Sequence, residues 1–193
     1  MSDNSLHNIA IFASGTGSNA QKIINYFKNS KKVNIALLVC NNPNAGVLKI
    51  AFAENIPVLI IEKETFRTTG YVEDLKKRQI NFIVLAGFLW KIPPVLIHSF
   101  PDKIINIHPA LLPAYGGKGM YGNAVHAAVI DAGERESGIT IHYVDEIYDH
   151  GKTIFQATCT IDENESTDSL SKKIHELEHA FYAPQIEKLL ADL

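Results

Sequence analysis

The stretch Asn8-Ile9-Ala10-Ile11-Phe12-Ala13-Ser14-Gly15-Thr16-Gly17-Ser18-Asn19-Ala20 decides how the first half of the chain folds. Its opening residues are apolar in succession rather than in alternation, the pattern of a strand covered on both faces. Two glycines then permit a tight turn, and over residues 19–28 the apolar positions recur at helical spacing. A buried strand that passes through a glycine turn into a helix is the start of a βαβ unit.

The same rhythm continues outward. Residues 34–40, 57–61, 82–86 and 103–107 read as further strands, with helices over 45–55, 68–79 and 93–100. Strands interleaved with helices predict an open, parallel sheet with right-handed crossovers. After Pro109 the rhythm changes. Residues 110–123 hold Pro113 and four glycines, too irregular for a helix and long enough for a functional loop. A helix over 124–132 follows, then two strands at 138–144 and 152–161 whose link is too short for a helical crossover. These two should therefore pair antiparallel. Residues 166–190 have helical period, with Ser166 or Thr167 as N-cap and a kink or break expected at Pro184. The expected organisation is one α/β domain over 1–193. In it, 1–109 form a nucleotide- or phosphate-binding βαβ part, and 110–193 supply the loop, the antiparallel pair and the last helix.

Composition narrows the function. Of 193 residues, 46% are apolar and 20% charged, as in an ordinary globular protein. Lys and Arg total 18 against 21 Asp and Glu, a formal charge of −3, which gives no long-range attraction to a phosphate backbone. Cys40 and Cys159 make no disulfide framework or CxxC pair, and both read as buried free thiols. Residues 1–5 lack the basic and apolar regions of a secretory signal. The most apolar stretch, 80–97, is interrupted by Asn81, Lys91, Pro93 and Pro94 and does not suit a bilayer span. A cytoplasmic protein with small-molecule partners is expected, a monomer or homodimer that engages neither nucleic acid nor membrane.

The turn Ser14–Ala20 is a coherent anion cradle, since glycine N–H groups, a helix N-terminus and the side chains of Ser18 and Asn19 all offer donors. Its spacing also fits the dinucleotide fingerprint G-x-G-x-x-A. That motif needs an acid at the end of the second strand, where this chain has Asn41-Asn42. No Lys-Ser/Thr follows the glycines, so a Walker-type loop fails too. A monophosphate is the favoured ligand, with a purely structural turn as the alternative.

Asn106-Ile107-His108-Pro109 closes the fifth strand, and strand alternation puts Asn106 and His108 on one face at the carboxyl end. An amide beside an imidazole can stabilise an oxyanion formed by attack on a carbonyl. Asp149 lies in the link between the last two strands. It is either a turn residue or, folded back beside His108, a carboxylate that favours the imidazolium and raises that histidine's pKa. His126 and His175 fall on predicted helices, where rim positions are the default, and His142 could face the site or the core.

One competing motif is His175-Glu176-Leu177-Glu178-His179, which matches H-E-x-x-H and H-x-x-E-H. Either would make a zinc site with a third ligand downstream, and the remaining tail hardly accommodates one. No metal is expected.

Taken in order, Ser14-Gly15-Thr16-Gly17-Ser18-Asn19, Leu85-Ala86-Gly87-Phe88, Asn106-Ile107-His108-Pro109-Ala110-Leu111-Leu112-Pro113, the Asp149 loop and Glu178-His179-Ala180-Phe181-Tyr182 closely resemble the folate-dependent formyltransferases. Within them the Gly-x-Gly-Ser-Asn turn and Glu-His-Ala-x-Tyr segment resemble the phosphoribosylglycinamide formyltransferase family of purine synthesis. The resemblance implies a Rossmann-like formyltransferase fold and makes Asn106, His108 and Asp149 the catalytic trio, with 10-formyltetrahydrofolate as formyl donor. It assigns Gly17, Ser18 and Asn19 to the substrate phosphate and Glu178 to its ribose. The pterin pocket falls to Leu89, Trp90, Lys91 and Ile92 with Asn106, Asp145, Glu146, Ile147, Tyr148 and Asp149. Trp90 stands where relatives commonly carry Arg. Residues 115–122 form a glycine-rich loop that either closes over the folate or is an ordinary flexible surface loop. Other functions weighed are a formyltetrahydrofolate hydrolase, methionyl-tRNA and sugar-amine formyltransferases, and a noncatalytic Rossmann-type nucleotide-binding module. The tRNA and sugar-amine enzymes carry additional domains and the hydrolase an extra N-terminal region, so the length of 193 residues favours the small-molecule transferase.

Overall fold

The computed structural model describes residues 6–192; residues 1–5, read above for a targeting signal, and Leu193 lie outside them. In chain order the elements are β1 (His7–Ala13), α1 (Ser18–Phe27), β2 (Val33–Cys40), α2 (Val47–Ala53), β3 (Val58–Ile60), α3 (Thr69–Lys77) and β4 (Phe82–Leu85). There follow α4 (Pro94–Ser99), β5 (Ile104–His108), α5 (Asn123–Asp131), β6 (Glu136–Tyr143), β7 (Thr153–Thr160) and α6 (Thr167–Ala191). The strands hydrogen-bond in the order β3-β2-β1-β4-β5-β6-β7. β1 pairs in parallel with β2 and β4, and β2 with β3, whereas β6 and β7 run antiparallel, as the short link between them requires. By its contacts the chain forms two compact units, one ending at Ile105 and one starting at Asn106.

In the first unit β1 is central. Ile9 to Ala13 and Leu37 to Cys40 are all fully buried, which explains why both strands are apolar without alternation. Helix α1 covers them with Ala20, Ile23, Ile24 and Phe27, the side of its 3.6-residue period that carries no charge. Cys40 is buried, and its thiol donates to the Asn42 carbonyl at 3.3 Å. An aromatic group closes this unit: the Phe66 ring lies 5.3 Å from Tyr71, 5.7 Å from Phe88 and 5.9 Å from Trp90, centroid to centroid. Because the chain passes from β1 to β2 on one side and back to β4 on the other, the carboxyl end of β1 is a topological switch point. Open α/β sheets receive ligands there.

In the second unit one hydroxyl fixes the segment after β5. The Thr140 Oγ1 donates to the Ala110 carbonyl (2.7 Å) and accepts from the Leu112 N–H (2.9 Å) and the Gln156 side-chain amide (2.9 Å). Its hydrogen-bonding capacity is thus filled in a fully buried position. Gly138 permits this close approach, because a Cβ there would run into the Ala157 carbonyl of β7 and lie 2.7 Å from Leu111.

Two expectations are corrected. Helix α6 is unbroken through Pro184. The proline deprives the Ala180 carbonyl of its helical donor, but Ala180 is on the exposed side, so that carbonyl need not be buried unpaired. Cys159 is half-buried rather than buried, and burial together with nearby Glu165 and Glu136 outweighs Lys173 and pushes its thiol pKa up. Among the described residues no helix is long and apolar enough to cross a membrane.

Leu38 has no exposed surface and lies on the central parallel pair. Leu38→Ala should lower unfolding free energy by about 2–5 kcal/mol, seen in urea titration as an earlier midpoint with an unchanged slope.

Candidate active site

The glycine turn of the first unit is built by close packing. Gly17 precedes α1 with φ 86°, and a Cβ on it would lie 2.6 Å from the Val47 side chain. Both the backbone conformation and the contact with α2 therefore require glycine. No side chain caps α1, so the start of the helix suits an anion, next to the exposed Ser18 and the buried Asn19. Ser14 ties this turn to the segment after β4. Its N–H donates to the Gly87 carbonyl (3.0 Å), and its Oγ accepts from the Leu89 N–H (3.0 Å).

The chemistry of the second unit gathers around Asp149. Asn106 and His108 do project to one polar group. The Asn106 Nδ2 is 3.1 Å from the His142 Nε2, which is 3.7 Å from an Asp149 oxygen, Oδ1. That same oxygen is 3.6 Å from the His108 Nδ1. The other, Oδ2, accepts from the Gly117 N–H at 2.9 Å. Asp149 has φ 54°, a left-handed conformation that an aspartate tolerates better than most residues. The glycine-rich loop is thereby fastened to the cluster. Gly116 passes where a Cβ would be 3.1 Å from that of Asp149, and the Tyr115 carbonyl is 2.8 Å from the His108 Nε2. Tyr115 is itself held by its hydroxyl, which donates to Glu134 at 2.7 Å.

The protonation of His108 differs from the sequence expectation. Burial, at 3% side-chain exposure, pushes its pKa below the ordinary 6.5 and outweighs the opposing pull of Asp149 and the Tyr115 carbonyl. His108 is therefore neutral at neutral pH. A carbonyl only accepts, so the proton of the neutral ring is on Nε2, and the Nδ1 lone pair faces Asp149. For Asp149, burial would raise the pKa. The His142 and His108 rings, when protonated, and the Gly117 N–H together outweigh burial and hold it below the ordinary 3.8.

His142 is the residue that sequence reasoning left undecided. It is 2% exposed, and its Nδ1 lies 2.8 Å from the Tyr143 carbonyl. The available signal was its spacing from Thr140, which puts both polar side chains on one face of β6. His126, expected at a rim, is instead 2% exposed in α5, and burial lowers its pKa.

The remaining candidates are distributed as follows. Leu89 and Lys91 are exposed, Trp90 is half-buried in the aromatic group and Ile92 is buried, all in the first unit. In the second unit Ile147 and Tyr148 are exposed apolar residues on a turn shaped by Asp145. That aspartate accepts from the Ile147 N–H (2.8 Å) and pairs with His150 (2.8 Å), while Glu146 is exposed. Glu178 is buried in α6 and pairs with His175 at 2.8 Å, a contact that raises the histidine's pKa. His175 stacks with His179, centroids 6.2 Å apart, and its Nδ1 is committed to Glu178 instead of to a chelate. Among the described residues no three His, Cys, Asp or Glu side chains are grouped to hold a metal ion.

The sequence pattern of the formyl transferase family matches residues 7–186. The chain is 40% identical over 181 residues to the chloroplastic phosphoribosylglycinamide formyltransferase of Arabidopsis thaliana. That match covers 90% of this chain and 62% of the plant protein's length. It is 38% identical over 187 residues to the phosphoribosylglycinamide formyltransferase of Bacillus subtilis, covering 94% of this chain and 93% of that protein. The crystal structure of glycinamide ribonucleotide transformylase 1 from Geobacillus kaustophilus superposes with a TM-score of 0.87 at 37% identity. It covers 96% of this chain and 99% of that one.

His108 and His175, shifted in opposite directions, should separate in an NMR pH titration. The His108 ring should take up its proton only below pH 6.5, and His175 should protonate above it. The linkage signs are opposite. Because the unfolded chain takes up the His108 proton first, this residue costs stability as pH falls below 6.5, whereas the His175 contribution is lost as pH rises through its raised pKa. His108 titrating above His175 would contradict both assignments.

Proposed function

The chain belongs to the formyl transferase family, and we propose that it transfers a formyl group from 10-formyltetrahydrofolate to the amine of glycinamide ribonucleotide, a step of purine synthesis. One observation carries this reading: an amide, two imidazoles and a carboxylate form one continuous polar cluster, Asn106–His142–Asp149–His108. That set suits acyl transfer to an amine, where an oxyanion must be stabilised and a proton moved.

The acceptor amine attacks the formyl carbon, a C–N bond forms, and negative charge develops on the formyl oxygen. Asn106 offers one amide N–H to His142 and has a second for that oxygen. His108 provides the other donor through Nε2–H, once that hydrogen leaves the Tyr115 carbonyl. Its depressed pKa serves the reaction. The ring is neutral beforehand and donates through Nε2–H to the oxyanion as its charge develops, without itself changing protonation state, while the ionised Asp149 faces Nδ1. An interaction that strengthens as charge develops lowers the barrier, whereas a permanent one would hold substrate and transition state alike. Water carries the amine's proton to the leaving folate nitrogen as its bond to the formyl carbon breaks.

Substrate binding follows from the other residues. Gly17, Ser18 and Asn19, at the uncapped start of α1, suit the phosphate of the acceptor. Glu178 suits ribose hydroxyls as a buried carboxylate acceptor. Leu89, Ile147 and Tyr148 are 52%, 60% and 39% exposed, apolar surface of the kind a flat pterin ring covers. Trp90, Lys91 and Ile92 of the first unit and residues 145–149 of the second would offer backbone hydrogen-bonding groups to the pterin. The glycine loop, through Tyr115 and Gly117, is fastened to the cluster and limits its exposure to bulk solvent.

The reading is tested by formyl transfer with glycinamide ribonucleotide against a reaction without acceptor. Tetrahydrofolate should be released only with acceptor present; equal release in both would make the protein a hydrolase. Asp149→Asn should lower turnover roughly 10²–10⁴-fold and shift the acidic limb of the pH–rate profile. Wild-type kinetics at every pH would remove Asp149 from the catalytic set.

A further inference from the structure

We propose that His142 is a positioning residue for formyl transfer, one that fixes which end of the Asn106 amide faces the reacting oxygen. The proposal rests on the function proposed above for its link to rate, and on the hydrogen-bond chemistry of β5 and β6 for its geometry.

An asparagine side chain has two faces of opposite character. Rotated by half a turn about its last bond, it presents Oδ1 where Nδ2 had been, with almost no change of shape. Only the Nδ2 orientation donates to an oxyanion; the other presents an acceptor to a developing negative charge and raises the barrier. Whatever neighbours Asn106 must therefore distinguish the two ends. Its hydrogen-bonding neighbour on β6 is His142, 3.1 Å away.

The role of His142 is set from behind. Its Nδ1 is 2.8 Å from the Tyr143 carbonyl, and a carbonyl oxygen only accepts, so Nδ1 carries hydrogen. In the neutral ring Nε2 then has a lone pair and no proton. A lone pair accepts from Nδ2–H and repels Oδ1. The ring thus selects the amide orientation in which Nδ2 points to His142 with one hydrogen, leaving the second for the substrate. Asp149 Oδ1 lies 3.7 Å from the same Nε2, beyond direct hydrogen-bond distance, while the Asn106 contact is within it. His142 is 2% exposed, so water does not compete for the site.

This chain of selection, Tyr143 carbonyl to His142 to Asn106, is read directly in the wild-type protein. In ¹⁵N-labelled enzyme the His142 ring nitrogens should report hydrogen on Nδ1 and none on Nε2. A two-bond ¹⁵N–¹⁵N coupling should connect the His142 Nε2 to the Asn106 Nδ2 across the hydrogen bond. Hydrogen on Nε2 overturns the proposal, and so does absence of that coupling in a spectrum where both nitrogens are resolved.

Kinetics test the consequence. His142→Leu removes the acceptor and should lower kcat roughly a hundredfold, the scale of a misplaced reacting group, with KM for both substrates unchanged. His142→Gln, whose side-chain carbonyl accepts from Nδ2, should restore most of the rate. Wild-type kcat in His142→Leu overturns the proposal, as does a His142→Gln enzyme no faster than His142→Leu. If wild-type enzyme transfers no formyl group, the functional reading fails, while the ¹⁵N measurement still decides the amide orientation.

Discussion

A single carboxylate oxygen set between two imidazole rings organises the second half of this molecule. The Asp149 Oδ1 lies 3.6 Å from His108 and 3.7 Å from His142, with both rings nearly buried. A carboxylate with 11% of its side chain exposed needs fixed donors, because water no longer solvates it freely. The Gly117 N–H supplies one, and that requirement draws the glycine-rich loop onto the cluster. Positive φ at Tyr115, Gly117 and Asp149 lets the loop and the link between β6 and β7 meet there. Thr140 anchors the segment that leads into the loop through its saturated hydroxyl, so the carboxylate and its donor are approached from fixed positions.

The cluster balances burial against charge. Desolvation keeps His108 neutral, and Asp149 opposes it without prevailing. A fully paired imidazolium would already have its partner and would gain little from an incoming oxyanion. A neutral ring beside a carboxylate gains most when negative charge appears at its other face. On the function proposed above, this geometry would reserve its electrostatic effect for the moment of bond making.

Much of this was legible in the residues themselves. The parallel strands were, because β1, β2 and β4 are apolar on consecutive positions and only two-sided burial tolerates that. The meeting of Asn106, His108 and Asp149 was foreshadowed by strand alternation and by the turn after β6. The protonation state of His108 was not, since it depends on burial contributed by residues distant in sequence. The role of His142 was hidden for a related reason. Alternation of apolar and polar residues in β6 ordinarily marks a solvent face, yet Ile139, Thr140, Ile141 and His142 are all buried. Thr140 and His142 are polar there because each has buried hydrogen-bonding groups to satisfy. Helix α6 failed the simple rule for an internal proline, because the carbonyl that Pro184 frees is on the exposed side.

The division of the chain after Ile105 has an evolutionary consequence. Asn106, His108, His142 and Asp149, with their partners Tyr115, Gly117 and Tyr143, all belong to the second unit. The glycine turn and its supports, Ser14, Val47 and Leu89, all belong to the first. Substitutions that retune one set alter none of the hydrogen bonds described for the other. On the function proposed above, selection can adjust the hold on the acceptor's phosphate at the glycine turn without disturbing the hydrogen bonds around Asp149.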